Sequence, residues 1–329
     1  MKAKPVSRRH VVTLPLMAGA LALAPQIALS QAYPNKPIKI VVPSPPGGST
    51  DLLARMVAQR IQTAWGQTVI VENKPGAGLR IGADAVAKSA PDGYTFLMAA
   101  VHHSIAQAVY AKRSYELERD LTPVTVMAVV PNVLIVPATL PVNNIQEFIT
   151  LARLPSSKLS YGSTGAGTAH HLIGEQFNDM ARSNLLHVAY KGSAPALTDL
   201  MGGQIQVMFD TVASCLPHIQ SGKLKALAVA TSKRSLALPN VPTLNEAGLT
   251  GFDIATWFGL MAPAGTPADI VAKMQAEIAT MLTNSDIKAQ LAQSGAEPVG
   301  STTKQMADQI RSEVLRFSAL AKKIKLELE

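Results

Sequence analysis

The sequence predicts an α/β fold of two lobes, each built on a mixed or parallel sheet flanked by helices, with a hinge and an interlobe cleft. Three observations predict it. Short apolar runs alternate with helical patterns along most of the chain, as expected of sheets joined by crossover helices. About 300 residues remain once an N-terminal leader is set aside, a comfortable length for two domains. After Thr266 the pattern becomes all helical, with Ile270, Met274 and Ile278, then Ile310, Val314, Phe317 and Leu320 at helical spacing. A terminal block without strands must pack back onto an earlier sheet, so the chain leaves its first lobe near Pro131 and returns near Thr256. The predicted lobes are 33–130 plus 256–329, and 131–255. The two crossings form the hinge, and the cleft between lobes is the expected place for a small-molecule site.

Residues 1–32 read as an export signal that is removed. Lys2, Lys4, Arg8 and Arg9 form a basic start without acidic residues, Val11 to Ala24 is apolar, and small residues allow cleavage after Ser30 or Ala32. The apolar run is shorter than the roughly 20 residues a bilayer requires, and it contains Pro15. Periplasmic residence follows from this reading. Ser7-Arg8-Arg9 hints at twin-arginine export, but His10-Val11-Val12 follows it weakly, so the route stays open. The chain carries 30 Lys plus Arg against 22 Asp plus Glu, a net +8, and loss of the four leader cations leaves +4. With no basic run and no aromatic-interleaved patch, nucleic acid is not an expected partner. Cys215 is the only cysteine and forms no internal disulfide; its apolar neighbours make it a space-filling residue.

The first element is a strand at Ile38 to Val42, followed by Pro43-Ser44-Pro45-Pro46-Gly47-Gly48-Ser49-Thr50-Asp51 and an amphipathic helix from Leu52 to Trp65. Two glycines let backbone approach a ligand, and Ser, Thr and Asp are helix-capping types. Free N–H groups at such a helix start attract carboxylate or phosphate. Strands follow at Val69 to Val71 and Phe96 to Met98, with a helix between them at Ile81 to Lys88. Further apolar runs lie at Val124 to Val130, Val133 to Val136, Leu185 to Val188, Val207 to Phe209, Ala226 to Ala230 and Trp257 to Met261. Helices are predicted at Ile145 to Leu154, Pro195 to Met201 and Pro267 to Leu282. A second donor-rich junction, Gly162-Ser163-Thr164-Gly165-Ala166-Gly167-Thr168, follows a short strand at Leu159 to Tyr161. It is not a nucleotide fingerprint: His170 stands where a third glycine belongs, and no phosphate-binding G-x-x-x-x-G-K-[ST] occurs.

Several segments stand in a familiar order. They include Tyr33-Pro34-Asn35-Lys36-Pro37-Ile38, Val71-Glu72-Asn73-Lys74-Pro75-Gly76-Ala77-Gly78, Ala90-Pro91-Asp92-Gly93-Tyr94-Thr95 and Tyr190-Lys191-Gly192-Ser193-Ala194-Pro195-Ala196. Met208-Phe209-Asp210, Leu238-Pro239-Asn240-Val241-Pro242-Thr243, Trp257-Phe258-Gly259 and Ala262-Pro263-Ala264-Gly265-Thr266-Pro267 continue it. Together they resemble the Bug/TctC family, the periplasmic solute-binding proteins of tripartite tricarboxylate transporters. The resemblance implies a monomeric receptor with a periplasmic-binding-protein fold of type II character. Such a receptor closes on a small organic carboxylate, needs no cofactor, and presents the closed form to the transporter's integral membrane permease subunits. Carried over by position, it implies first-lobe contacts from Pro46, Gly47, Gly48 and Ser49. Second-lobe contacts would come from Ser163, Thr164, Gly165 and Thr168, with Asp210 facing the cleft.

Where relatives have a turn rich in Gly, Ser and Thr, this chain has Ala99-Ala100-Val101-His102-His103-Ser104. That segment is expected to be a loop bordering the cleft, with His102 and His103 as selectivity residues, since imidazole can bond a distal carboxylate or stack on a ring. Two other classes were weighed. A metal-binding receptor would use His102, His103, His170 and His171, but adjacent residues point apart and no Cys or Glu spacing supports them. A secreted hydrolase would draw on Ser163, Ser193, His102, Asp199 and Asp210, but no G-x-S-x-G elbow exists, so no catalytic residue is expected. The residues leave dicarboxylates, acidic amino acids and aromatic acids open as ligands.

Overall fold

Strand β1 (Ile38–Val42) is almost wholly apolar because it lies between two parallel neighbours, with both faces covered. The computed structural model describes residues 1–3 and 33–329; the expected export signal and its cleavage points after Ser30 or Ala32 otherwise lie outside the described residues. Helix α1 (Ser49–Trp65) follows β1 and ends on Gly66 in the left-handed conformation (φ 67°). Next come β2 (Val69–Asn73), α2 (Arg80–Ala87) and β3 (Thr95–Ala100). β3 runs directly into α3 (Val101–Val109), so the predicted loop at Ala99 to Ser104 is a strand end and the first helical turn. Val101, Ile105, Ala106 and Val109 all bury, a helical spacing that overrides loop formation.

A short α4 (Leu117–Asp120) leads into β4 (Leu121–Pro137), 17 residues long. At about 3.3 Å per residue β4 reaches about 56 Å, enough to serve both halves of the molecule. The two predicted runs at Val124 to Val130 and Val133 to Val136 are thus one strand. Its chain-order successors are α5 (Ile145–Ala152), β5 (Ser160–Ser163), α6 (Ala169–Ala181), β6 (Leu186–Ala189), α7 (Ser193–Met201), β7 (Val207–Thr211), α8 (Val212–Gln220), β8 (Leu224–Val229) and β9 (Ala255–Pro263).

Residues Leu121 to Pro131 of β4 pair antiparallel with β9, whereas Asn132 to Pro137 pair with β7 and β8. Proline cannot donate to a ladder, so it belongs at irregularities. Pro123 sits at a register shift, and Pro131 is the last residue paired with β9. The outcome is one large mixed sheet in the order β2-β1-β3-β9-β4-β7-β5-β6, where the sequence predicted two. The strand that joins them stays continuous through Pro131-Asn132, where the apolar run is interrupted, because Asn132 takes up β7 as its new partner.

The terminal block holds α9 (Ala268–Thr283), α10 (Ser285–Gln293) and α11 (Thr303–Lys323). It is not purely helical, because β10 (Glu297–Pro298) pairs with Val129 and Ala128 of β4. α11 packs on α3 and β4, and α9 packs on β4, as the helical spacing of their apolar residues requires. Residues 34–329 form one compact unit. Where the chain crosses and returns, Val130 pairs with Thr256 and Pro131 with Ala255. Buried Asn132 ties this place together, donating to the Ile254 carbonyl at 2.7 Å and accepting from the Thr256 hydroxyl at 3.0 Å.

Candidate binding cleft

Six helices, α1, α2, α3, α6, α7 and α8, each supply at least one first-turn or capping residue to the same cavity, about 410 Å³ of empty space with its open mouth counted. Each follows a strand end, so the sheet topology sets their convergence. Helix starts leave N–H groups without intrahelical acceptors and carry partial positive charge.

The β1–α1 turn owes its shape to Asp51. Its buried carboxylate accepts from Gly47 N at 3.1 Å and Asn73 Nδ2 at 3.0 Å, and holds Arg55 through two contacts of 3.0 Å. Gly47 needs its positive φ of 90° for this turn. Burial pushes the Asp51 pKa up, but Arg55, Asn73 and the Gly47 amide together hold it below the usual carboxylate range. Asp51→Ala should cost about 2 kcal/mol, since it removes a charged acceptor shared by part-buried hydrogen bonds from Gly47, Asn73 and Arg55. A carboxylate with a depressed folded pKa stabilises fully above its unfolded pKa of about 4, and the contribution fades as pH falls through the folded value. Urea midpoints should therefore show a wider gap between wild type and variant at neutral pH than at pH 3.

Ser49, the first residue of α1, meets Thr211 Oγ1 at 2.8 Å and Ser214 Oγ at 3.0 Å, and those two lie 2.8 Å apart. This triangle of hydroxyls joins the β1–α1 turn to the start of α8. From the β6–α7 turn, Gly192 comes so close to Pro45 that an added Cβ would sit 2.9 Å from its ring. Ser193 beside it donates to Asp210 Oδ1 at 2.9 Å.

Of the expected ligand contacts, Pro46, Gly48, Ser49, His102 and Thr164 line the cavity. Gly47, Ser163, Gly165, Thr168, His103 and Asp210 lie outside its lining, each with identified bonds. Gly47 N is bonded to Asp51. Ser163 Oγ is held by His187 Nε2 at 2.6 Å and by the Gly165 backbone at 3.2 Å, and the Thr168 hydroxyl donates to Gly165 O at 2.7 Å. His103 turns back on its own helix, Nδ1 lying 3.1 Å from Ala100 N and 3.0 Å from Ala100 O. Asp210 sits one layer behind Ser193 and Thr211.

His102 faces the cavity in a fixed tautomer. Ala169 N donates to its Nδ1 at 2.9 Å, so the neutral ring carries its proton on Nε2. Burial, then the neighbouring His170 and His103, push its pKa well down and keep it neutral. His170 stands edge-on to it, ring centroids 5.2 Å apart, with Nδ1 2.7 Å from the Thr164 hydroxyl. His171 stacks on His187 at 3.8 Å and accepts from Gly167 N. His102 and His170 thus meet only edge to face, and among the described residues no group of three His, Cys, Asp or Glu could hold a metal ion.

The sequence expectations did not include Thr211 or Ser214, and they named Ser193 and His170 without placing either among the ligand contacts. The signal was present: Gly192-Ser193-Ala194 and Asp210-Thr211 repeat the strand, small polar residue, helix pattern of the first junction.

Residues 53–326 match the sequence profile of the tripartite tricarboxylate transporter family receptor, TctC. The chain belongs to this family. The receptor resembles the periplasmic binding protein BugD, 35% identical with a TM-score of 0.87, over 90% of this chain and 100% of that one. It resembles Rpa4515 of R. palustris, solved with adipate, at 36% identity and TM-score 0.87, over 90% and 99% of the two chains. MatC from Rhodopseudomonas palustris, solved with bound malate, is 32% identical with a TM-score of 0.83, over 88% and 99%. The receptor therefore has the α/β periplasmic-binding-protein fold and belongs to a family of solute-binding receptors, not enzymes.

Proposed function

We propose that this receptor captures a small organic carboxylate between two lobes, 33–130 with 256–329 and 131–255, and delivers it to the integral membrane permease of a tripartite tricarboxylate transporter. The observation that carries the reading is the convergence of helix starts α1, α7 and α8 with Ser49, Ser193, Thr211 and Ser214 on one cavity. Among the described residues, that cavity has no lysine or arginine in its lining. Oriented amides and hydroxyls hold a carboxylate with little reorganisation. His102 Nε2–H adds a neutral donor suited to a second polar group of the solute. The binding of malate by MatC and adipate by Rpa4515 supports this chemistry.

The ligand set proposed is Pro46, Gly48, Ser49, His102 and Thr164 at the cavity. Gly47, Ser163, Gly165, Thr168, His103 and Asp210 shape the turns behind it. The hinge lies near Pro131 and Thr256, because β4 leaves β9 there for β7 and β8, and β9 begins there. A thermal-shift screen of mono- and dicarboxylates, malate and adipate included, tests the reading. A saturating ligand at 100 times its Kd stabilises by about 2.7 kcal/mol, so the melting midpoint should rise by several degrees. No rise with any carboxylate would defeat it.

A further inference from the structure

We propose that buried Asp210, beside the His170 ring, is a proton site of the cleft, and that a carboxylate solute enters together with one proton taken from water and held by the Asp210 carboxyl. The inference rests on the carboxylate reading above and deepens it. The geometry is that of an anion site with a second anion built in. Asp210 is completely buried at the end of β7. Its Oδ1 accepts from the Ser193 hydroxyl at 2.9 Å and Thr211 N at 2.8 Å, two residues that line the cavity. Its Oδ2 and His170 Nε2 each lack a hydrogen-bond partner among the described residues. His170 Nε2 lies 3.8 Å from Asp210 Oδ1, and the ring itself lines the cavity. Buried polar atoms without partners are rare and call for an explanation.

The groups facing Asp210 are His170 from α6, Ser193 from α7, Thr211 and the Cys215 thiol from α8, Val133 in register on β4, and His102 from α3 beside the His170 ring. None is a cation at neutral pH: burial pushes His170 down to about 3, His102 well below its ordinary value, and the Cys215 thiol well up. Burial likewise pushes Asp210 up to about 7, against the pull of Ser193 and Thr211. A carboxylate arriving in a dry site beside another carboxylate drives one of them to take a proton. Protonated at Oδ2, Asp210 keeps Oδ1 as the acceptor for Ser193 and Thr211, so the cleft geometry survives the change.

The sign follows. Below about pH 7 the free site already holds the proton and affinity is level. Above it, binding must take the proton up, and affinity falls toward tenfold per pH unit. Isothermal titration of malate or adipate at about pH 8, in HEPES and in Tris, reads the uptake from the difference in buffer ionisation heat. The expected uptake approaches about one proton at that pH and declines toward zero near pH 5.5. Asp210→Asn should bind with no uptake and a flat pH profile. Ser193→Ala, which removes a bond that favours the charged carboxylate, should move the profile's midpoint to higher pH. Binding by the wild-type protein at pH 8 without proton uptake, or unchanged uptake in Asp210→Asn, overturns the proton site while leaving the carboxylate reading intact. Failure of every carboxylate to bind overturns both.

Discussion

A Gly48→Val protein is expected to fold normally and bind no carboxylate. Gly48 caps α1 at φ −85° and ψ 170°, extended backbone that valine adopts without strain. An added Cβ meets no heavy atom within 4 Å, yet the residue lines the cleft. The isopropyl group therefore projects into open space that the solute needs, beside the free N–H groups of the helix start. Valine is a poorer N-cap than glycine by about 1 kcal/mol, so the melting midpoint of the free protein should fall by only a few degrees. Affinity, read by calorimetry, should fall by at least about a hundredfold, the equivalent of about 2.8 kcal/mol. Wild-type affinity in this variant would place the solute elsewhere. Gly165→Val is the poorer probe, because Gly165 sits at φ 139° and a side chain there strains the backbone itself.

Gly78→Ala should disable binding from outside the cavity. Gly78 lies between β2 and α2, and a Cβ built on it would fall 2.2 Å from the carbonyl oxygen of Ala166 in the β5–α6 turn. Tyr110 also reaches that carbonyl, its hydroxyl donating at 3.0 Å. In the proposed two-lobe arrangement these are facing rims of the cleft, and the methyl group fits only if the lobes part. The left-handed φ of 61° adds strain for alanine, about 1 kcal/mol, a modest loss for the free protein. Solute affinity should drop about a hundredfold or more, since a ligand that touches both lobes is held only in the closed population. Small-angle scattering should show wild type contracting on addition of malate or adipate at saturation and the variant unchanged. Equal contraction would show that the rims do not gate closure.

The family resemblance was legible because most of its motifs sit at turns, where chemistry rather than packing selects residues, although Met208-Phe209-Asp210 and Trp257-Phe258-Gly259 lie inside β7 and β9. Gly47, Gly192 and the proline pairs are read one at a time, and the strand and helix periods between them fix most elements within a few residues. The merger of two predicted sheets was harder to see. Pro131 looks like a strand terminator, and only the partner strands reveal that it marks a change of neighbour within one continuous β4. The adjacent histidines show a related limit. His102 and His103 are adjacent and chemically identical, yet one faces the cavity against Ala169 N and the other folds back on Ala100.

By itself the sequence determined the α/β class, most of the strands and helices and the two donor-rich junctions at 43–51 and 162–168, because backbone conformation and apolar period are local properties. Tertiary structure alone decided which of those donors share a cavity. Ser49 meets Thr211 and Ser214 from more than 160 positions away, and His170 comes to rest beside Asp210. Such meetings depend on the order in which strands assemble, and no local pattern encodes that order.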